Sequence, residues 1–356
     1  MSQIWIEAQR SPPWSARVYA RTTLAPIWVG AFLTLLYLVG LAIYFGIATA
    51  LAGPDSALPL WKGPGRWSVL VNAVMIGFAP TVLVYTLRTV ERDVQALAPA
   101  LGGSAAELQE RVREVVRLSP VALRGWGLVA AAVAVGFAFL DPGLWSTRVR
   151  PPLSDPSMLW FVTQQGLLGW LWSRAVVADV TTARAFSRLA DRLAHVDLLD
   201  LRPLATFGRR GVRSVFYWMA GLALFSLFWL APNAGESNIV PFVLLLSLAG
   251  SNLAVLMLRA QRRIQREKIR QLERLRAAIR TDQEALLAGE GPKAADAAAA
   301  AARLPALFAA EARTLSVREW PFDAGSAVRF GLYLTIGIGS WVGGALVERL
   351  LGAAMD

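Results

Sequence analysis

Seven stretches of this chain are apolar over a length near twenty residues, with charged or turn-forming residues at their ends. A helix advances about 1.5 Å per residue, so about 20 such residues are what it needs to cross the hydrocarbon core of a bilayer. The stretches are 27–51, 67–87, 121–140, 158–177, 215–231, 239–258 and 327–347. They exclude a pair of ordinary soluble domains, which is what the length alone would suggest. The expected fold is all-α: a polytopic membrane protein with about seven transmembrane helices, or six if 158–177 does not cross. That fourth stretch is the weakest, because Gln164 and Gln165 interrupt it and Arg174 lies near its end.

Arginine placement orients the chain. The connections 52–66, 142–157 and 232–238 carry few bases, whereas 88–124 and 174–213 carry many. Base-rich connections stay in the cytoplasm. The N-terminus is then cytoplasmic, and an odd number of crossings puts the C-terminus on the periplasmic or extracellular side. The net charge of +11 lies beside the apolar stretches. Its expected partners are the lipid bilayer and anionic headgroups near the basic cytosolic segments, and not nucleic acid. The preference for arginine over lysine, with abundant alanine, matches GC-rich bacterial coding and points to the bacterial inner membrane.

Four parts follow: a cytosolic segment 1–26, transmembrane hairpins 27–258, a cytosolic charged and alanine-rich helical hairpin 259–325, and a final transmembrane helix with the C-terminus, 326–356. Within the second part, 88–120 and 178–214 read as amphipathic cytosolic connections. No proline or glycine stands at the exits near Arg88, Arg174 and Arg259, so the helices there are expected to run on into the cytosol. Leu272, Leu275, Ile279 and Leu286 form an apolar stripe at helical spacing on a charged helix. Gly289 to Pro292 break it, and an alanine-rich helix follows over 293–314, interrupted near Pro305. The two helices suit an antiparallel pair or contacts with another subunit.

Polar residues inside apolar runs are the candidate cavity or pore lining: Asn72, Gln164, Gln165, Ser251, Asn252 and Thr335. An amide in hydrocarbon must find a partner helix or water, because an unpaired one is costly. Gly339, Gly343 and Gly344 are candidates for close helix packing, since small residues four apart let helix backbones approach in lipid. The string Thr335-Ile336-Gly337-Ile338-Gly339 has the outline of a potassium-channel filter, but it lacks room for a following inner helix. Trp320, Pro321, Phe322 and Asp323 read as an interfacial elbow that seats the last helix.

Chemistry is expected to be absent. There is no cysteine and a single histidine, His195, so thiolate metal sites and histidine clusters are excluded and no cofactor is expected. No ionisable residue lies near the middle of an apolar run, and no phosphate-cradling loop or protease constellation is present. The sequence favours a non-enzymatic channel- or transporter-like protein that works as a homo-oligomer. The alternative is a non-conducting scaffold or sensor that recruits a cytosolic partner through its basic helices.

Overall fold

Apolar runs and the charged stretches after them form continuous helices in the computed structural model. It describes residues 4–9, 12, 14–22, 24–52, 65–140, 156–230, 239–287, 294–317 and 319–320, with 325, 328, 331, 332, 335 and 339 of the last segment. The helices are α1 (Ile4–Glu7), α2 (Trp14–Ala20), α3 (Pro26–Ala52), α4 (Gly65–Leu101), α5 (Ala105–Val116) and α6 (Pro120–Leu140). They continue with α7 (Pro156–Arg188), α8 (Ala205–Ser226), α9 (Ile239–Leu287) and α10 (Ala294–Ser316). No strand occurs among the described residues. The chain is all-helical.

Among the described residues three stretches are long and apolar enough to cross a membrane, against the seven expected of the whole sequence: Pro26–Ala50, Trp67–Leu101 and Ala105–Phe137. The third contains the break at 117–119, and its apolar part is α6. Part of the difference has a physical cause. Helix α7 carries both glutamines and Arg174 inside the length that would cross. The end of the fifth run, at 231, and most of the last run lie outside the described residues.

Helices α4, α7 and α9 run unbroken through the boundaries at Arg88, Arg174 and Arg259. At 37 residues, α4 is about 55 Å long. It ends where Gly102 and Gly103 take positive φ (62° and 95°), which turns the chain into α5. Ser104 and Glu107 then close a capping box on α5.

Burial inverts along the bundle. In α3, Ile27, Phe32, Leu35, Val39, Ile43 and Ile47 are exposed, and so are Leu128, Val129, Val133 and Phe137 of α6. Exposed apolar area of this extent marks a surface that meets something other than water. The charged extensions instead enclose the largest core. Leu87, Val90, Val94, Leu97 and Leu101 of α4 meet Val112 and Val115 of α5, Phe186 and Leu189 of α7, Phe207 of α8 and Ile264 of α9. Trp5 and Tyr19 belong to the same core. Gln9 pins α1 to the α5–α6 break: its side chain donates to the Val116 carbonyl and accepts from the Leu118 N–H at 3.2 Å.

Close helix approach falls on glycines that sequence spacing did not single out. A Cβ at Gly77 would lie 2.3 Å from the Gly30 carbonyl oxygen, so α3 and α4 touch backbone to backbone. A Cβ at Gly169 would meet the Ala130 carbonyl oxygen at 2.5 Å, which does the same for α6 and α7. Beyond these, α9 and α10 form an antiparallel hairpin within the chain. Arg303 reaches Asp282 at 2.7 Å, Arg276 reaches Glu311 at 2.7 Å, and Lys268 donates to the Val317 carbonyl at 3.0 Å. Helix α10 continues through Pro305 without the expected interruption. Pro305 and Ala301, whose carbonyl loses its helical donor, are both exposed, so water serves that oxygen.

Candidate functional site

Four positions on α4 lie seven residues apart: Asn72, Ala79, Thr86 and Asp93. Seven residues bring an α-helix back to within about 20° of the same direction, so these form one stripe. The stripe covers about 31 Å, close to the thickness of a bilayer core. All four are buried, and three are polar. Asn72 Oδ1 and Thr86 Oγ1 have no hydrogen-bond partner among the described residues.

Asp93 ends the stripe in a charge cluster. Arg210 Nη1 of α8 is 3.1 Å from Asp93 Oδ2, and Arg213 Nη2 binds Asp93 Oδ1. Arg210 also donates to Thr182 Oγ1 at 2.9 Å, and its guanidinium lies 4.9 Å from the Phe186 ring centroid. Burial alone would lower the Arg213 guanidinium, which stands just before the apolar run of α8. The Asp93 carboxylate beside it outweighs that and holds it above the usual arginine value.

A second carboxylate sits one layer further into the bundle. Asp179 Oδ2 accepts from Ser214 Oγ at 2.7 Å, Trp218 Nε1 at 2.8 Å and Asn252 Nδ2 at 2.8 Å. Helical spacing explains how the sequence builds this. Arg210, Ser214 and Trp218 are four apart on α8, and Asp179, Thr182 and Phe186 share a face of α7. Helices α4, α7, α8 and α9 are thereby tied by two carboxylates, two guanidinia and neutral donors.

The polar track extends from the cluster through aromatic side chains. Trp218 lies 6.2 Å from Trp172, and Trp172 lies 6.0 Å from Phe78 of α4. Trp172 Nε1 and Tyr217 OH are buried without a hydrogen-bond partner among the described residues. Such a chain offers donors, acceptors and fixed charge. It offers no nucleophile with a base, and no group of metal-ligating residues occurs among the described residues.

Of the residues expected from sequence, Asn252 enters the Asp179 cluster and Asn72 begins the stripe. Gln164 is buried and accepts from the Tyr37 hydroxyl, which itself accepts from Trp160 Nε1 at 2.9 Å. Gln165 is half-buried. Ser251 and Thr335 are exposed and donate to carbonyls of their own helices, Thr335 to Gly331 at 2.9 Å. At Gly339 a Cβ would meet no described residue within 4 Å. Trp320 is exposed, and Gly343, Gly344, Pro321, Phe322 and Asp323 lie outside the described residues. His195 is exposed.

Asp93, Asp179, Arg210 and Thr86 escaped the sequence reading. Asp93, Asp179 and Arg210 fall in stretches whose charges count as solvated cytosolic connection and Thr86 at the end of the apolar run 67–87, yet the period of seven on α4 and of four on α8 was there to be read. No protein-family profile, curated protein or solved structure matches this chain.

Proposed function

We propose that this chain is a multi-pass helical membrane protein that conducts or carries a small polar solute or ion, without catalysing a reaction. On this reading six or seven helices cross the bacterial inner membrane with the N-terminus cytoplasmic. The apolar parts of α8 and α9 and the last segment then supply crossings besides α3, α4 and α6, and α7 supplies the seventh. The protein works as a homo-oligomer, with anionic headgroups around its basic segments.

One observation carries the reading: the buried stripe of α4, with Asn72 and Thr86 unpartnered and Asp93 at its end. An unsatisfied buried polar group costs about 1–3 kcal/mol. A chain retains several along one line where water or a polar solute passes and satisfies them. The test is flux in proteoliposomes, read with trapped indicators for protons, potassium and chloride. Wild-type protein should carry at least one of them above the rate of empty vesicles, and Asn72→Leu should reduce it.

A second reading rests on a different face. Ala298, Ala301, Pro305, Phe308, Ala312 and Leu315 of α10 are exposed at alternating spacings of three and four. That is the seam a partner helix recognises. Folded, inserted protein without flux for any of the three ions would favour the scaffold.

A further inference from the structure

We infer that Arg124 and Arg174 form a binding site for the phosphate of an anionic phospholipid at the base-rich end of the α6–α7 pair. The site names where the headgroup partner of the proposed function binds, and it rests on α6 and α7 lying in a bilayer. It does not depend on conduction.

The register of the two helices places the arginines together. Going along α6, Gly127 faces the Trp170 ring, Ala130 faces Gly169, and Val135 faces Gly166. The helices are therefore antiparallel. One turn from the Gly127–Trp170 contact stands Arg124 on α6, and one turn on the same side stands Arg174 on α7. The charge acting on Arg174 is accordingly a like one, that of Arg124. Neither arginine makes a hydrogen bond or an ion pair among the described residues.

Arg174 is the unusual member. It is only 9% exposed, its Nε has no partner, and its guanidinium lies 5.4 Å from the Trp170 ring centroid. A buried, unpaired guanidinium next to a second cation is costly unless an anion joins them. The planar fork of a guanidinium matches two anions best, carboxylate and phosphate, each held by two parallel N–H donors. Among the described residues no carboxylate fills the role.

The surroundings select an amphiphile over a free anion. Val121, Arg124 and Leu128 share an exposed face of α6, with Val121 80% and Leu128 63% exposed. A phospholipid matches that order, with its phosphate at the arginines and its acyl chains along the apolar face. The N-terminal end of α6, which begins at Pro120, adds its own partial positive charge.

The experiment is native mass spectrometry of the full chain in detergent with phosphatidylglycerol, phosphatidylcholine of the same chain length, or inorganic phosphate. Wild-type protein should retain phosphatidylglycerol in preference to phosphatidylcholine. Arg124→Gln, at an exposed position that does not endanger folding, should weaken that binding about fivefold, the worth of one arginine near an anionic headgroup. Arg174→Gln should weaken it at least as much, while Arg202→Gln, remote from the pair, should leave it unchanged. Equal retention of the two lipids, or an unchanged preference in Arg124→Gln, overturns the site. Binding of inorganic phosphate without a lipid preference overturns the lipid assignment. Flotation of the protein with phosphatidylcholine vesicles checks the membrane reading separately, and failure to float would remove both.

Discussion

Arg210 Nη1 lies 3.1 Å from Asp93 Oδ2, with 5% and 6% of the two side chains exposed. The pair joins α8 to α4 where both leave their apolar runs. Around it, Arg213 shares the same carboxylate and Thr182 takes the second arm of Arg210. Charges taken from water are held here by one another, so a change to one member strands the rest.

Removal of the shared carboxylate should therefore be severe. Asp93→Asn should cost about 3–5 kcal/mol, because it leaves the buried Arg210 without its counter-ion, and Arg210→Met should cost less, because Arg213 still pairs with Asp93. The double variant should lose less than the sum of the two. Thermal unfolding in detergent, run as a double-mutant cycle, measures this, and strict additivity would show that the two groups do not interact.

Asp179 is held by neutral donors alone, so its loss should act differently. Asn252→Ala should cost about 1–3 kcal/mol, as expected when a buried hydrogen bond is broken. In an Asp179→Asn background the same change should cost less, since the carboxylate that Asn252 serves is gone. Equal costs in the two backgrounds would mean that the 2.8 Å contact contributes nothing.

Glycines on α3 and α4 should separate into two kinds. Gly77→Ala places a methyl group against the Gly30 carbonyl, and backbone cannot yield as a flexible side chain does. A loss of about 1–3 kcal/mol is expected. Gly46→Ala meets open space and should be neutral or gain up to about 1 kcal/mol of helix propensity. Thermal stability of the two variants decides it, and an inert Gly77→Ala would contradict the close packing.

Glu319 ties the end of the α9–α10 hairpin back to α9. Hydrogen bonds from Gln265 and Lys268 hold its carboxyl below the usual value. A depressed folded value means that the tie contributes above the unfolded value, about 4.3, and is lost as pH falls through the folded one. The group is exposed, so the effect on total stability is small. Amide protection around 315–317, taken relative to the intrinsic exchange rate at each pH, should fall on acidification in the wild type, and Glu319→Gln should abolish that pH dependence.

How far the sequence reached follows from what each signal measures. Hydropathy located the apolar faces of α3 and α6, because lipid-facing surface is apolar whatever lies behind it. The absence of breakers at Arg88, Arg174 and Arg259 anticipated the long helices, since nothing local stops them. The same hydropathy hid Asp93 and Arg210, whose burial depends on three other helices arriving at the same place. Gly30 and Gly77 escaped for a related reason: a small residue marks a possible contact, and only the partner helix decides which one is used. Gly339 carries the same spacing signal, and most of its segment lies outside the described residues.

The central claim is that the buried stripe of α4 is wet. The chain has no cysteine, so a single one can be placed without background. Thr86→Cys and Asn72→Cys should react with a charged, membrane-impermeant thiol reagent in proteoliposomes, although both positions are buried. Leu83→Cys and Leu87→Cys, in the apolar core on the same helix, should stay unreactive. Equal protection at all four positions would mean a dry interior and would contradict the account of α4 as the wall of a conducting path.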